Sequence, residues 1–380
     1  MSIFKKFTAV ALSAALFAAP LPEINSASAA SGIYVKYRTA DEIAEYMRNH
    51  TFNYDASEFD AVPSYTQTPY EPGKLSDATL ENALNALNTV RFIAGLDEVS
   101  LSDNYNDLAQ AGTLVNAVND ELTHSPSQPS GMSDELYEKC LEGTSSSNIG
   151  WGYGSLAENI IYGWMSDADS SNISRVGHRR WCLNPSMKQT GFGNTGKYYA
   201  MYAFDGVWNE TEYYGVSWPA QIMPAELFGN NEPWSISMGY QVDPSNVNVN
   251  LVRKNDGKRW SFSQTAADGY FNVENNNYGK KGCIIFRPDN ISYSAGDSFE
   301  VTITGLDETI SYTVEFCDIN ADEPAITKTS LEELINFILK KEYNTEKISD
   351  FNDDGNIDVF DAVIAVSYTH LRAHETDQYL

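Results

Sequence analysis

Apolar residues recur at roughly helical spacing in the segment that follows Ser76. The repeating positions are Leu80, Leu84, Leu87, Val90 and Ile93. This spacing predicts an amphipathic helix, which Ser76 or Asp77 can cap at its start and Gly95 can end. Residues 31–75 are rich in tyrosine and proline, and we expect them to form an N-terminal arm with one short helix at about 40–48.

Two more helices and a strand are predicted between this helix and residue 208. The first helix begins near Ser102 and places His124 at its C-terminal end. The next covers about 156–164 and carries Glu158. The aromatic run at 197–204 is a strand candidate, because aromatic residues are enriched in strands.

The pattern changes to short alternating runs after Trp218. Strands at such regular spacing, separated by Asn, Gly and Asp, predict a β-sandwich at 212–318. The helices and the strand before it favour an α/β layered domain at 76–208. The seven runs lie near 234–238, 246–253, 259–264, 270–274, 282–287, 298–304 and 311–317.

A helical stripe and an acidic loop follow the predicted sandwich. The stripe consists of Leu331, Leu334, Ile335 and Ile338. The loop at 350–361 matches the EF-hand pattern, with Gly355 at the sixth position for the sharp turn. Calcium takes six to eight hard oxygen donors, so we expect calcium as a cofactor. The candidate ligands are Asp350, Asn352, Asp354, the Asn356 carbonyl, Asp358 and Asp361.

The N-terminus and the charge indicate an exported protein. Residues 1–30 combine Lys5 and Lys6 with an apolar stretch and small residues, which predicts a secretory signal peptide. No later stretch is apolar for the 18 or more residues that a membrane span needs. The 380-residue chain has a net charge of -27, with 52 acidic and 25 basic residues. Nucleic acid or an anionic membrane would repel such a chain, so neither is expected as a partner.

Four cysteines in an oxidising compartment can form two disulfides. Cys283 and Cys317 fall in two strand-like runs and make one plausible pair. Cys140 and Cys182 make another. Four cysteines allow three connectivities, and the sequence leaves the choice open.

Histidine is scarce, with five in the chain. His370 and His374 lie in a tail from about Val366 that resembles the translation of a sequencing adaptor, so we expect residues 367–380 to be an artefact. The natural protein is then expected to continue differently. His50 ends the short helix of the arm and is expected to be structural. His124 and His178 are therefore the histidines that indicate a chemical site.

The strings around these two histidines resemble motifs of the CAP superfamily, the cysteine-rich secretory, antigen-five and pathogenesis-related proteins. Thr123-His124-Ser125 resembles the motif of the family's first histidine, and Ala157-Glu158-Asn159 resembles its Gly-Glu-Asn motif. Gly177-His178-Arg179-Arg180-Trp181 resembles its Gly-His motif. Asp167, three places after Trp164, corresponds to a second acidic residue that is usually glutamate.

The resemblance implies an α-β-α sandwich in which His124, Glu158 and His178 line one cleft that can hold a divalent metal. Neutral imidazoles suit zinc-like ions, and a nearby carboxylate can orient an imidazole or take a proton from water. Neither a His-Glu-x-x-His element nor a Gly-x-Ser-x-Gly turn is present. We expect Arg179 and Arg180 to be solvated charges beside the cleft and Trp181 to pack in the core.

The acidic loop resembles one half of a dockerin, the module that plugs bacterial secreted proteins into the cohesins of a cellulosome scaffold. It has Asp361 rather than glutamate at the twelfth position and an apolar helix start after it. We place a truncated dockerin-like segment at 326–366. The resemblance implies a cohesin of a scaffold protein as partner.

The expected fold is multidomain: a CAP-like α-β-α sandwich, an all-β sandwich and a small helical EF-hand-like segment. The first functional hypothesis is a secreted, SCP-like binding protein that is anchored to a cellulosome and takes a small ligand or a cell-wall component. The alternative is a metal-assisted hydrolase of cell-wall polysaccharide or peptide, with a role in polysaccharide catabolism. A structural surface protein is a third class. The sequence favours a binding protein over an enzyme.

Overall fold

The computed structural model describes residues 30–207 and 209–319. The helices are α1 (Ala40–Asn49), α2 (Asp77–Ile93), α3 (Asp103–Asn119), α4 (Asp134–Ser145), α5 (Leu156–Glu158) and α6 (Gly177–Cys182), with a π-helix at Asn159–Trp164 and a 3₁₀-helix at Ala225–Leu227. The first strands are β1 (Phe59–Ala61), β2 (Lys74–Leu75), β3 (Ser100–Leu101), β4 (Ser147–Trp151), β5 (Gln189–Thr190), β6 (Phe192–Thr195) and β7 (Tyr198–Tyr202). The later strands are β8 (Val216–Trp218), β9 (Ile222–Pro224), β10 (Trp234–Ser237), β11 (Asn248–Arg253), β12 (Arg259–Ser263), β13 (Gly269–Glu274), β14 (Cys283–Pro288), β15 (Ser298–Thr304) and β16 (Ile310–Cys317).

Side-chain caps fix the starts of the long helices. The Ser76 hydroxyl accepts a hydrogen bond from the Thr79 amide at the start of α2, as the sequence predicts. Ser102 accepts one from the Tyr105 amide at the start of α3. That helix ends at Asn119, where Asp120 takes a left-handed conformation. His124 therefore lies in the loop beyond α3 and not at its C-terminal end, which corrects the prediction.

The first layered region is a sheet with helices on both faces. Its three antiparallel strands run in the order β4-β7-β6. On one face α3 packs on β6 and β7, and α4 packs on α3. On the other face the π-helix contacts β4 and α2. Ala109 of α3 meets Ile149 of β4 and Ala200 of β7 in a small buried cluster. The expected α-β-α layering is present, although α4 and β4 were not predicted.

The second layered region is a β-sandwich, and all seven predicted runs are strands. One sheet has the order β13-β14-β10-β8 and the other β12-β11-β15-β16-β9. The sheets face each other through aromatic side chains, with the ring centroids of Trp234 and Phe299 5.5 Å apart and those of Phe262 and Phe286 5.1 Å apart. The two additional strands, β8 and β9, lie at the junction with the first region and were not predicted.

The cysteine pairing expected from the sequence is wrong for the described residues. All four cysteines are free thiols. Cys283 lies in β14 and Cys317 in β16, which belong to opposite sheets of the sandwich. Cys140 lies in α4 and packs among the side chains of α3, whereas Cys182 ends α6. The two strand-like runs that suggested a Cys283–Cys317 pair are separated by β15 in sequence and do not pair in a sheet.

Several predictions from the sequence lie outside the described residues. They are the signal peptide at 1–30, the helical stripe and dockerin-like segment at 326–366, the calcium loop at 350–361 and the adaptor-like tail. Within 30–207 and 209–319, no helix is long and apolar enough to cross a membrane.

Candidate functional site

Strand β4 and the turn before it hold both histidines of the predicted site. The Nδ1 of His124 donates to the carbonyl of Thr144 at 2.7 Å, in the last turn of α4. The Nδ2 of Asn148 in β4 donates to the carbonyl of His178 at 2.9 Å. Only four positions separate Thr144 from Asn148, so two histidines that are far apart in sequence are tied to one short stretch of backbone.

His178 is oriented by the buried carboxylate of Asp167. Its Nδ1 donates to Asp167 Oδ1 at 2.7 Å, and Asp167 Oδ2 accepts from the Arg179 amide at 3.1 Å. The Asp167 side chain is 1% exposed and the His178 side chain 23% exposed. Because the carboxylate accepts from Nδ1, the neutral ring carries its proton there and leaves Nε2 as an acceptor. Asp167, the less certain of the four family positions, is thus directly bonded to the second histidine.

The environment of His178 favours its charged form. Burial lowers the pKa of the imidazole, but the charge of Asp167 and the hydrogen bond to it outweigh burial, and the net shift is upward from 6.5. The imidazolium therefore persists to a higher pH than that of a free histidine. The pair therefore stabilises a proton on the Nε2 of His178.

Glu158 stands at the junction of α5 and the π-helix. Ser155 caps this turn by accepting from the Glu158 amide at 3.0 Å, and Glu158 Oε2 accepts from the Gly154 amide at 2.5 Å. The side chain is partly exposed. A π-helix is a rare conformation that occurs often at functional sites. Here it follows Glu158 directly.

Two side chains fasten the Glu158 helix to β4. Trp164 is buried and donates from Nε1 to the carbonyl of Ile149 at 3.1 Å. Asn159 is fully buried next to Gly150, where a Cβ atom would stand 2.2 Å from its Nδ2. The helix can approach the strand this closely only because Gly150 lacks a side chain. Thus β4 positions the Glu158 segment and the backbone of His178, and the last turn of α4 next to it holds His124.

The prediction of solvated arginines is wrong, because Arg179 and Arg180 are buried against the sandwich. Arg179 is 0% exposed. Its guanidinium donates to Met165 O at 2.6 Å and Ser166 O at 2.7 Å in the first region, and to Pro233 O at 2.5 Å in the second. Its Nη1 also donates to Ser235 Oγ at 3.1 Å.

The guanidinium of Arg180 also reaches the sandwich. It donates to the carbonyls of Asn276 and Lys280, each at 2.7 Å. Trp181, as expected, packs against the core, with its ring 4.9 Å from that of Phe204. Helix α6 therefore joins the site to the second layered region.

Glu232 is a buried carboxylate on the sandwich side of this junction. Its Oε2 lies 3.8 Å from Arg179 Nη2, and its Oε1 accepts from the Gly229 amide at 3.1 Å. Burial raises the pKa of Glu232 to about 7, although the charge of Arg179 acts in the opposite direction. A charged pair thus spans the junction directly behind Asp167, and its acidic member titrates near neutrality.

The donors fit a zinc-like ion in type but not in number. The Nδ1 atoms of His124 and His178 are both engaged by oxygen acceptors, which is how metal-binding imidazoles are usually held. Across the described ranges, however, no three His, Cys, Asp or Glu side chains come together to hold a metal. A single cleft shared by His124, Glu158 and His178 stays a prediction.

Some of the supporting residues had no signal in the sequence. Thr144 and Asn148 act through α4 and β4, which the hydrophobic pattern did not predict. Arg179 follows a motif histidine, and nothing in the local sequence shows that it is buried. Glu232 lies in a polar loop, and only the tertiary structure shows that it is buried.

The comparison with protein families gives a match that covers most of the first layered region. Residues 84–217 match the model of the cysteine-rich secretory protein family, CAP. The matched segment contains all four residues of the predicted site, and most of the β-rich region described above follows it. The match supports a multidomain chain.

A solved structure is similar to part of this chain. The 1.5 Å crystal structure of an extracellular protein containing a SCP domain, from Bacillus anthracis str. Ames, is 19% identical, with a TM-score of 0.26. The alignment covers 36% of this chain and 44% of that one, so it spans less than half of the other protein. The search of curated proteins finds no match.

Proposed function

We propose that this is a secreted protein whose CAP domain binds an extracellular ligand at a cleft formed by His124, Glu158 and His178. The observation that carries the proposal is the Asp167–His178 pair. A buried carboxylate that fixes one imidazole tautomer and leaves Nε2 as a free acceptor prepares a group for a partner outside the protein. A purely structural histidine has no need of a free, oriented nitrogen at a partly exposed position.

Secretion rests on the signal-peptide pattern at the N-terminus and is supported by the CAP match. The protein from Bacillus anthracis that shares an SCP domain is described as extracellular. The large negative charge of this chain suits a soluble exported protein.

A hydrolase is the second candidate, because the same pair suits general base catalysis. An imidazole held by a carboxylate at Nδ1 can take a proton at Nε2, and the charge of Asp167 stabilises the imidazolium that forms. Glu158 would supply a second proton acceptor. Substrates of this candidate are cell-wall polysaccharide or peptide.

Turnover assays on a panel of wall glycans and peptides separate the two candidates. If the protein only binds a ligand, it should bind that ligand without turnover. The variants His178→Ala and Asp167→Asn should then lose the binding. The hydrolase requires turnover that disappears in both His124→Ala and His178→Ala while circular dichroism shows an intact fold. Ligand binding and turnover that are both unchanged in every variant would contradict both proposals and leave a structural surface protein.

We further propose that calcium binds the loop at 350–361 and that a dockerin-like segment attaches the protein to a cohesin of a cellulosome scaffold. The support is the spacing of oxygen donors around Gly355. Calorimetric titration of calcium into the full chain should show a site that is lost when Asp350 and Asp361 are both changed to alanine. A flat titration of the unchanged chain would reject the calcium site, and with it the proposed attachment.

A further inference from the structure

Three tyrosine side chains surround the helix that carries Glu158. Tyr162 lies four residues after Glu158 in the continuous helical segment. The hydroxyl of Tyr54, from the N-terminal arm, donates to the Tyr162 hydroxyl at 3.3 Å, and the two ring centroids are 5.5 Å apart at 45°. Tyr153 donates from its hydroxyl to the Tyr162 carbonyl at 3.5 Å. We call Tyr54, Tyr153 and Tyr162 the tyrosine ledge.

The ledge offers aromatic surface to solvent. Tyr54 is 43% exposed and Tyr162 47% exposed. A hydrogen bond fixes the backbone of Tyr153, because its carbonyl accepts from the Tyr199 hydroxyl at 2.6 Å. The three rings come from three different segments of the chain. Tertiary structure, rather than local sequence, therefore assembles this aromatic surface.

Carboxylates surround the ledge. Burial raises the pKa of Tyr153, and the negative charges of Asp169, Glu158 and Asp167 add to the increase. Burial and the hydrogen bond to Tyr162 raise the pKa of Tyr54, and the charge of Glu158 contributes. The negative potential at the rings thus has its source in nearby acids of the same site.

No cation of the described chain neutralises this surface. Among residues 30–207 and 209–319, no Lys or Arg stands over the rings of the ledge or forms an ion pair with Glu158. Trp151, at the end of β4, shows the opposite arrangement. Its ring is 53% exposed, and Lys197 Nζ lies 5.3 Å from its centroid. The protein therefore supplies its own cation to Trp151 but leaves the ledge open.

An unpaired buried amide lies behind the ledge. Asn159 is fully buried, and of the described side chains it alone has both polar atoms buried without a hydrogen-bond partner. Its Oδ1 faces Gly163 beside the Tyr153 ring, since a Cβ atom at Gly163 would stand 2.6 Å from Oδ1 and 2.9 Å from that ring. Both atoms are buried, so this amide packs behind the ledge and is not itself a contact for a ligand.

We infer that the tyrosine ledge and Glu158 form a binding site for an organic ammonium group. Aromatic faces attract a cation within about 6 Å of the ring centroid, and recognition of quaternary ammonium ligands by aromatic side chains is a common use of this attraction. Glu158 supplies the opposite charge. This inference deepens the proposed function, on which it rests, by naming the chemical class of the ligand. Choline, an amino sugar and a lysine side chain all carry this group.

Titrations of the full chain with three cations and their neutral counterparts test the inference. The pairs are choline with 3,3-dimethylbutan-1-ol, glucosamine with N-acetylglucosamine, and Nα-acetyl-lysine amide with Nα-acetyl-norleucine amide. Binding is followed by amide chemical shifts in NMR spectra. We expect at least one cation to bind about tenfold more tightly than its neutral counterpart, from cation–π attraction together with the Glu158 charge. The tightest pair identifies the source of the ammonium group.

Variants assign the binding to the ledge. Tyr162→Ala should lower the affinity for the preferred cation about fivefold. Tyr162→Phe, which keeps the ring, should change that affinity by less than about twofold. Glu158→Gln should lower the affinity for the cation and leave the affinity for its neutral counterpart unchanged. Trp151→Ala is the matched control, because Lys197 already lies near this exposed ring. This variant should leave the affinity for the cation unchanged.

Equal affinity of every cation and its neutral counterpart would overturn the inference, and so would unchanged binding in Tyr162→Ala. Its failure is distinguishable from failure of the proposed function. A ligand or a turnover that depends on His178 and Asp167 can persist when the ledge binds no cation. In that case the cleft would stand and only the ammonium site would be rejected.

Discussion

Replacing Arg179 by alanine should lower the free energy of unfolding by about 3–5 kcal/mol, the cost expected when one partner of a buried ion pair is removed. The variant deletes hydrogen bonds to Met165, Ser166 and Pro233 and leaves Glu232 Oε2 without its cation. Hydrogen bonds to a charged group contribute about 1.5–3 kcal/mol each, but loss of the desolvation penalty of the guanidinium offsets part of the sum. The loss in free energy of unfolding should be largest at about pH 8, where Glu232 is ionised.

Urea denaturation followed by tryptophan fluorescence measures this effect, with Arg253→Ala as the matched control. Arg253 forms an ion pair with Asp256, whose side chain is 48% exposed, and an exposed pair contributes about 0–1 kcal/mol. The two layered regions share one hydrophobic core, so we expect a single unfolding transition in both variants. A loss below about 1 kcal/mol in Arg179→Ala would refute the view that this side chain locks the two regions together.

Two further changes test the junction and the helix packing. Because the pKa of Glu232 is about 7 in the folded state and 4.5 ordinarily, the folded state holds the extra proton between these values, so stability should fall as pH rises from 4.5 to 7. Glu232→Gln should flatten that decline in thermal unfolding scans, and an unchanged pH profile would contradict the assignment. Gly143→Ala should destabilise the protein by about 2 kcal/mol or more, because a Cβ atom would stand 1.9 Å from the Leu108 carbonyl oxygen. Chemical denaturation should show no such loss for the exposed neighbour change Glu142→Ala, and equal stability of the two variants would refute the close packing of α3 and α4.

The sequence predicted those parts of the fold that local chemistry determines. Helices α2 and α3 begin at serine caps, and every alternating run of the sandwich is a strand. The sequence did not predict the elements that form only through tertiary contacts. Strand β4 contains Asn148 and Gly150 and lacks a strand-like pattern, yet it lies in a sheet because β7 pairs with it along its whole length. The short strands β8 and β9 likewise form through their partners β10 and β16.

The sequence proposed a set of site residues but could not predict their geometry. The motif strings indicated His124, Glu158, Asp167 and His178, and the structure shows which of them are bonded. Periodicity could not show that Arg179 is buried, because a charged residue next to a motif histidine is more often solvated. Its burial depends on carbonyls supplied by a region that is distant in sequence.

The tautomer and pKa of His178 test the central claim most directly, since the account rests on an imidazole that Asp167 orients and charges. NMR spectra of protein labelled with 15N-histidine report both, and His178→Asn assigns the signal. We predict a neutral ring with its proton on Nδ1 and a pKa above 6.5, and Asp167→Asn should remove the upward shift. A proton on Nε2, or a pKa below 6.5 in the unchanged protein, would contradict the account.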